Sequence, residues 1–103
     1  MHTPEKREHP RRSIETEMAF QAGDGPRVEA RCRDLSLGGM FIETGSSLPY
    51  GAPVRVFVRL PGLRGEAVIE AVVRWSMPTG MGVQFGRMGA RETHGLTQLL
   101  SAG

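Results

Sequence analysis

Two short groups of residues have the types and spacing for recognition chemistry. The first is Asp34-Leu35-Ser36-Leu37-Gly38-Gly39. Asp34 and Ser36 are acceptor-rich side chains that can tie down local backbone N–H groups or meet a ligand. Gly38 and Gly39 open backbone angles closed to other residues and let a bulky partner approach. A loop that merely caps itself is the other reading, because Asp, Ser and Gly are ordinary turn residues. The second group is Lys6-Arg7-Glu8-His9-Pro10-Arg11-Arg12, in which Arg7 and Arg11 form Arg-x-x-x-Arg. A guanidinium is a planar fork that matches phosphate oxygens and stacks on flat rings.

Short strands must position these groups. Ile14, Thr16, Met18 and Phe20 alternate with polar residues, the period of a half-buried strand with Met18 and Phe20 inward. Gly23-Asp24-Gly25-Pro26 is a turn signal. Val28, Ala30 and Cys32 alternate with charged residues over Arg27 to Arg33, and Met40 to Thr44 resumes a strand after the polar turn. Val54, Val56, Val58 and Leu60 mark a fourth strand, closed by the loop Pro61-Gly62-Leu63-Arg64-Gly65. Ala67, Ile69, Ala71, Val73 and Trp75 share one face of a fifth, which reads Trp75 as core or barrel rim. Met77-Pro78-Thr79-Gly80 turns the chain, and Met81, Val83 and Phe85 line a sixth strand.

Six short strands joined by glycine-bearing turns predict an all-β fold, an antiparallel barrel that closes to remove exposed edges. Leu96, Leu99 and Leu100 have helical spacing, so residues 90–101 form a C-terminal helix packed across one end of the barrel. Gly95 weakens that helix by up to ~1 kcal/mol relative to Ala, so tertiary packing must hold it. Residues 1–12 carry charges, Pro4 and Pro10 but no apolar periodicity. They read as a flexible basic tail before a barrel over residues 13–103.

Composition narrows the function. The 103 residues make one domain, and the net charge is only +2. No run approaches the ~18 apolar residues that span a membrane. The N-terminus lacks an apolar signal core, and Cys32 has no cysteine to pair with. Both features fit a cytoplasmic protein. His2, His9 and His94 lack metal-ligand spacing, and no nucleophile accompanies the carboxylates, so neither a metal site nor an enzyme is read.

Arg-x-x-x-Arg followed, a little over twenty residues later, by Asp-x-Ser-x-x-Gly resembles the signature of the PilZ family of bacterial cyclic di-GMP receptors. Arg7, Arg11, Asp34, Ser36 and Gly39 occupy its positions. The resemblance covers nearly the whole chain, and its two motifs in order are more specific than either one. It implies that Arg7 and Arg11 grip phosphate and base while the turn of Asp34, Ser36, Gly38 and Gly39 holds a guanine on the barrel surface. Arg12 is a candidate additional contact. The ligand implied is cyclic di-GMP, with no cofactor and with output through an unidentified effector protein. A guanine offers an acceptor edge to arginine and a donor edge to a carboxylate. On this reading the tail is loose without ligand and wraps the ligand against the barrel. Motility or biofilm regulation is the implied setting.

Two alternatives stand beside it. A PilZ-like adaptor could act through protein contacts without nucleotide. A small basic barrel could bind RNA or single-stranded DNA, but such barrels show aromatic platforms on a basic face. Aromatics are scarce in this chain, at 6%, and most read inward, which argues against nucleic acid. Cys32 reads as a buried, inert thiol. Arg74, beside Trp75, is a further candidate for the ligand surface.

Overall fold

The structure is a computed structural model that describes the backbone of residues 12–101, with side chains from Glu15 onward. Six antiparallel strands form a closed barrel: β1 (Arg12–Gln21), β2 (Arg27–Leu35), β3 (Gly39–Glu43), β4 (Pro53–Arg59), β5 (Glu66–Met77) and β6 (Gly80–Phe85). The order around the wall is β1-β2-β3-β6-β5-β4. One helix, α1 (Ala90–Ser101), follows. The predicted fold class and helix are thus present. The first strand begins at Arg12, one residue before the expected barrel boundary at residue 13.

The alternating residues enter the barrel as their period requires. Phe20, Cys32, Ile42, Val56, Val58, Ile69, Val73 and Met81 are almost wholly buried. Each fully buried large apolar side chain contributes about 1.5–3 kcal/mol, far more than an exposed ion pair at about 0–1 kcal/mol. The core therefore fixes the register. The surface pairs Arg55–Glu70 at 3.0 Å and Arg27–Glu66 decorate it.

Turn chemistry follows the glycines where the backbone is left-handed. Gly62 and Gly65 in the β4–β5 loop have φ of 81° and 69°. The antiparallel order puts one set of connections at the same barrel end. There β1 starts, the β2–β3 turn and β4–β5 loop lie, and β6 runs out toward α1. Leu96 is fully buried, and Gly95 packs against Leu60 and the Pro61 carbonyl. The helix thus covers the end that also carries the polar turn.

Trp75 is a correction. The alternation placed it on the face of Ala67 to Val73, as core or barrel rim, but it lies on the outer wall at 45% exposure. Val73 pairs with Val83 and Trp75 with Gly82, so β5 carries a bulge between them. An inserted residue in one strand reverses the side-chain parity beyond it. The expectation that most aromatics face inward also fails. Phe20 and Phe85 are buried, whereas Phe41 and Phe57 are half-buried on the outer wall and Tyr50 is 70% exposed.

Candidate functional site

A bulge in β2 aims Asp34. Cys32 pairs with Ile42 and Leu35 with Met40, so Arg33 and Asp34 together oppose Phe41. Cys32 and Leu35 are both at 0% exposure. Unbroken alternation from Cys32 would turn Asp34 into the core and Leu35 out to water. Burying an unpaired carboxylate costs several kcal/mol, and exposing Leu35 forfeits about 1.5–3 kcal/mol. The bulge avoids both penalties and leaves Arg33 and Asp34 side by side on the outer wall.

Two further irregularities lie in the same circumferential row. In β1 the register shifts between Ser13 and Thr16, opposite Arg33. In β5 it shifts between Val73 and Trp75, opposite Gly82, which itself pairs with Phe41. The row therefore reads Glu15, Arg33 with Asp34, Phe41, Gly82, then Arg74 with Trp75. Bulges re-aim side chains and are concentrated beside functional sites. Here they turn an alternating barrel wall into a continuous belt of polar and aromatic groups.

Charges along the belt are paired. Arg33 Nη1 lies 2.9 Å from Glu43 and its Nε 3.4 Å from Glu15. Arg74 Nε donates to Gln84 Oε1 at 2.7 Å. Phe41 and Trp75 stack above Gly82, where a Cβ would overlap the Trp75 indole. Gly80 likewise leaves room for the Phe41 ring.

The turn after Asp34 is internally satisfied. The Ser36 hydroxyl oxygen accepts the N–H groups of Gly38 at 3.1 Å and Gly39 at 3.2 Å. Ser36 N–H donates to the Gly39 carbonyl at 2.9 Å, and Ser36 is itself buried. Phe85 N–H donates to the Gly38 carbonyl at 2.8 Å. A Cβ on Gly39 would overlap the carbonyl oxygen of Val83. Among the described residues the left-handed glycines are Gly23, Gly51, Gly62 and Gly65, so Gly38 and Gly39 do not use the angles expected of them. Their observed work is to bring β3 and the turn close to β6. Asp34 and the turn lie at the barrel end where the chain enters.

Arg7 and Arg11 lie outside the described residues, as does the rest of the tail before Arg12. Arg12 opens β1, its backbone paired with Leu35, and its side chain is not described. Burial pushes the Cys32 thiol up to about 12 from 9.0, with the Asp34 carboxylate adding to the shift. A thiol held neutral is a packing group and not a nucleophile. Among the described residues no group of His, Cys, Asp and Glu is placed to hold a metal ion. Among the described residues no helix is long and apolar enough to cross a membrane. Phe41, Trp75 and Arg33 were not singled out as site residues by the alternation. The Cys32–Leu35 spacing is the signal that reveals Arg33.

The sequence matches the PilZ domain family over residues 5–102. The chain belongs to the PilZ domain family. Solved structures share the PilZ fold at low identity. The Bacillus subtilis inhibitor of motility MotI/DgrA superposes with a TM-score of 0.73 at 21% identity, over 97% of this chain and 55% of that one. The PilZ domain of CeSA from a cellulose-synthesizing bacterium gives 0.70 at 18% identity, over 87% and 93% of the two chains. The Borreliella burgdorferi PlzA protein in complex with c-di-GMP gives 0.69 at 16% identity, over 89% and 40%. This PilZ chain thus spans about half the length of the Bacillus protein and two fifths of PlzA. No curated protein sequence matches it.

Proposed function

We propose that this PilZ domain is a cyclic di-GMP receptor that acts through a partner protein. The supporting observation is the β2 bulge, which aims Asp34 outward beside the Ser36–Gly39 turn at the barrel end where the arginine-bearing segment joins. The carboxylate of Asp34 suits the N–H edge of a guanine. Arg7 and Arg11, with Arg12 as a further contact, suit the phosphates and the other base. Charge-assisted forks of this kind are the stronger class of hydrogen bond. Ser36, Gly38 and Gly39 hold the turn in shape, so their part in binding is to present Asp34 and the neighbouring backbone. The segment before the barrel closes over the ligand, and its ordering is the signal that an effector protein reads. The domain works as a binding module in the cytoplasm and catalyses nothing.

One observation favours the adaptor reading. Ser36 and Gly39 each have a purely structural use, so the motif can persist without a ligand. Calorimetric titration with cyclic di-GMP separates the two readings. The wild type should bind at micromolar or tighter, about −8 kcal/mol or better. Arg11→Ala and Asp34→Ala should each weaken binding by about 2–5 kcal/mol, the usual loss for a desolvated charged contact. No heat at high ligand concentration would leave the adaptor reading. A single-stranded RNA oligonucleotide run alongside tests the third class, since the Phe41–Trp75 stack lies on the outer wall. Backbone relaxation of residues 1–11 with and without ligand tests the ordering. Equal order in both states would remove the closing segment from the mechanism.

A further inference from the structure

We propose that Arg33 selects guanine at this site, by donating to the base's acceptor edge while Asp34 accepts from its donor edge. The inference rests on the receptor reading and names a specificity residue within it.

The geometry begins with the bulge. Cys32 and Leu35 both enter the core, paired with Ile42 and Met40. Arg33 and Asp34 are therefore neighbours on one outward surface opposite Phe41. In a regular strand, consecutive side chains point to opposite faces and could not serve one ligand group together. The extra residue in β2 places a fork of donors beside an acceptor-only carboxylate.

That pairing fits guanine and not adenine. Guanine carries O6 and N7 as acceptors, and its adjoining edge carries N–H donors. Adenine keeps N7 but has an amino donor where guanine has O6. The carboxylate already favours guanine, whose N1–H and N2–H can both donate to it, where adenine sets one amino N–H beside an acceptor nitrogen; a donor fork adds a second discrimination at the other edge. A guanidinium has only donors, so it meets O6 and N7 of guanine bidentately and confronts the amino group of adenine. Arg33 can supply that distinction from the position next to Asp34. Arg74, the other arginine of the belt, lies beyond Phe41 and Gly82 and is held by the neutral Gln84.

The guanidinium is held ready without being locked. Glu43 on β3 and Glu15 on β1 flank it at 2.9 and 3.4 Å. Both pairs are about half exposed, with side-chain exposures of 46% for Arg33, 45% for Glu43 and 57% for Glu15. Solvent-screened pairs of this kind are weak and exchange readily. They lay the fork along the wall, and a base edge can replace one carboxylate as the partner.

The test titrates the full chain with cyclic di-GMP, cyclic di-AMP and the mixed cyclic GMP–AMP. Arg33→Gln should weaken cyclic di-GMP binding about tenfold or more, the discrimination of one bidentate base contact, and leave the adenine ligand unchanged. The selectivity ratio therefore narrows. Arg33→Lys keeps the charge and the ion pairs but lacks the fork, so it should narrow the ratio as well. Glu43→Gln should change cyclic di-GMP affinity only while Arg33 is present, which a double-mutant cycle reads. A purely structural or long-range charge role predicts otherwise: Arg33→Gln would weaken all three ligands in proportion, and Arg33→Lys would restore them. That result overturns the assignment, as does a wild-type ratio in both variants. A wild type that binds none of the three ligands instead refutes the receptor reading itself.

Discussion

The rings of Phe41 and Trp75 stack on the outer wall, with centroids 5.2 Å apart and planes inclined by 18°. The stack exists because Gly82, between them on β6, has no side chain. Its Cβ position is occupied by the Trp75 indole. Gly82→Ala should therefore lift Trp75 off the wall and cost about 1–3 kcal/mol, the usual penalty for overpacking. Trp75 is the single tryptophan, so its emission reports the event. A red shift together with a lower urea midpoint is expected. An unchanged emission maximum would show that the stack does not depend on this glycine.

The Ser36 hydroxyl serves the backbone first. It accepts from Gly38 and Gly39, and both N–H groups lose that acceptor in Ser36→Ala. Both sites are part-buried, so each lost bond costs about 0.5–1.5 kcal/mol. Hydrogen exchange at the Gly38 and Gly39 amides should accelerate, whether or not ligand is present. Exchange equal to wild type at both amides would mean that the hydroxyl does not hold the turn.

Most of the barrel was legible because its strands bury one face each. Met18 and Phe20, Val54 to Val58, and Met81 to Phe85 all enter the core on the parity their alternation announced. The bulges were harder to read. The Cys32-x-x-Leu35 spacing already breaks a period of two, so the outward turn of Arg33 and Asp34 was within reach of the sequence. The Trp75 bulge was not. Ala67 to Trp75 alternates without a fault, and what moves Trp75 outward is the space over Gly82 on another strand. Likewise the need for Gly39 arises from Val83 across the β3–β6 ladder. Contacts between strands distant in sequence carry no local signature.

Cys32 should make stability fall at high pH. Its thiol is pushed from 9.0 up to about 12 by burial first and by Asp34 second. Below the unfolded value of 9.0 the thiol is neutral in both states, and its packing contributes in full. As pH rises from there toward about 12, the unfolded chain ionises and the folded one does not. The unfolded state then binds fewer protons, so stability declines by up to ~1.4 kcal/mol per pH unit. Cys32→Ala should start less stable and lose stability less steeply over that window. Parallel slopes for the two proteins would contradict the buried neutral thiol. Alkylation of the native wild type at pH near 8 should be slow for the same reason.

Gly95 presents two opposed effects in α1, and their sizes decide the sign. Replacing a helical glycine by alanine gains about 0.8–1.0 kcal/mol of intrinsic propensity. Here a Cβ would lie 2.9 Å from the Leu60 Cβ and 3.1 Å from the Pro61 carbonyl oxygen. Both neighbours belong to the end of β4 and its loop, and Leu96 beside Gly95 is fully buried, so the helix cannot withdraw freely. Overpacking of this kind costs about 1–3 kcal/mol. Gly95→Ala should therefore lower stability, by about 1 kcal/mol net in a urea titration. A solvent-facing control at Thr97, Thr97→Ala, should stay within about 0.5 kcal/mol of wild type. If Gly95→Ala instead proves more stable than wild type, propensity has won, and the close approach of α1 to the Leu60–Pro61 loop is not what holds the helix over the barrel.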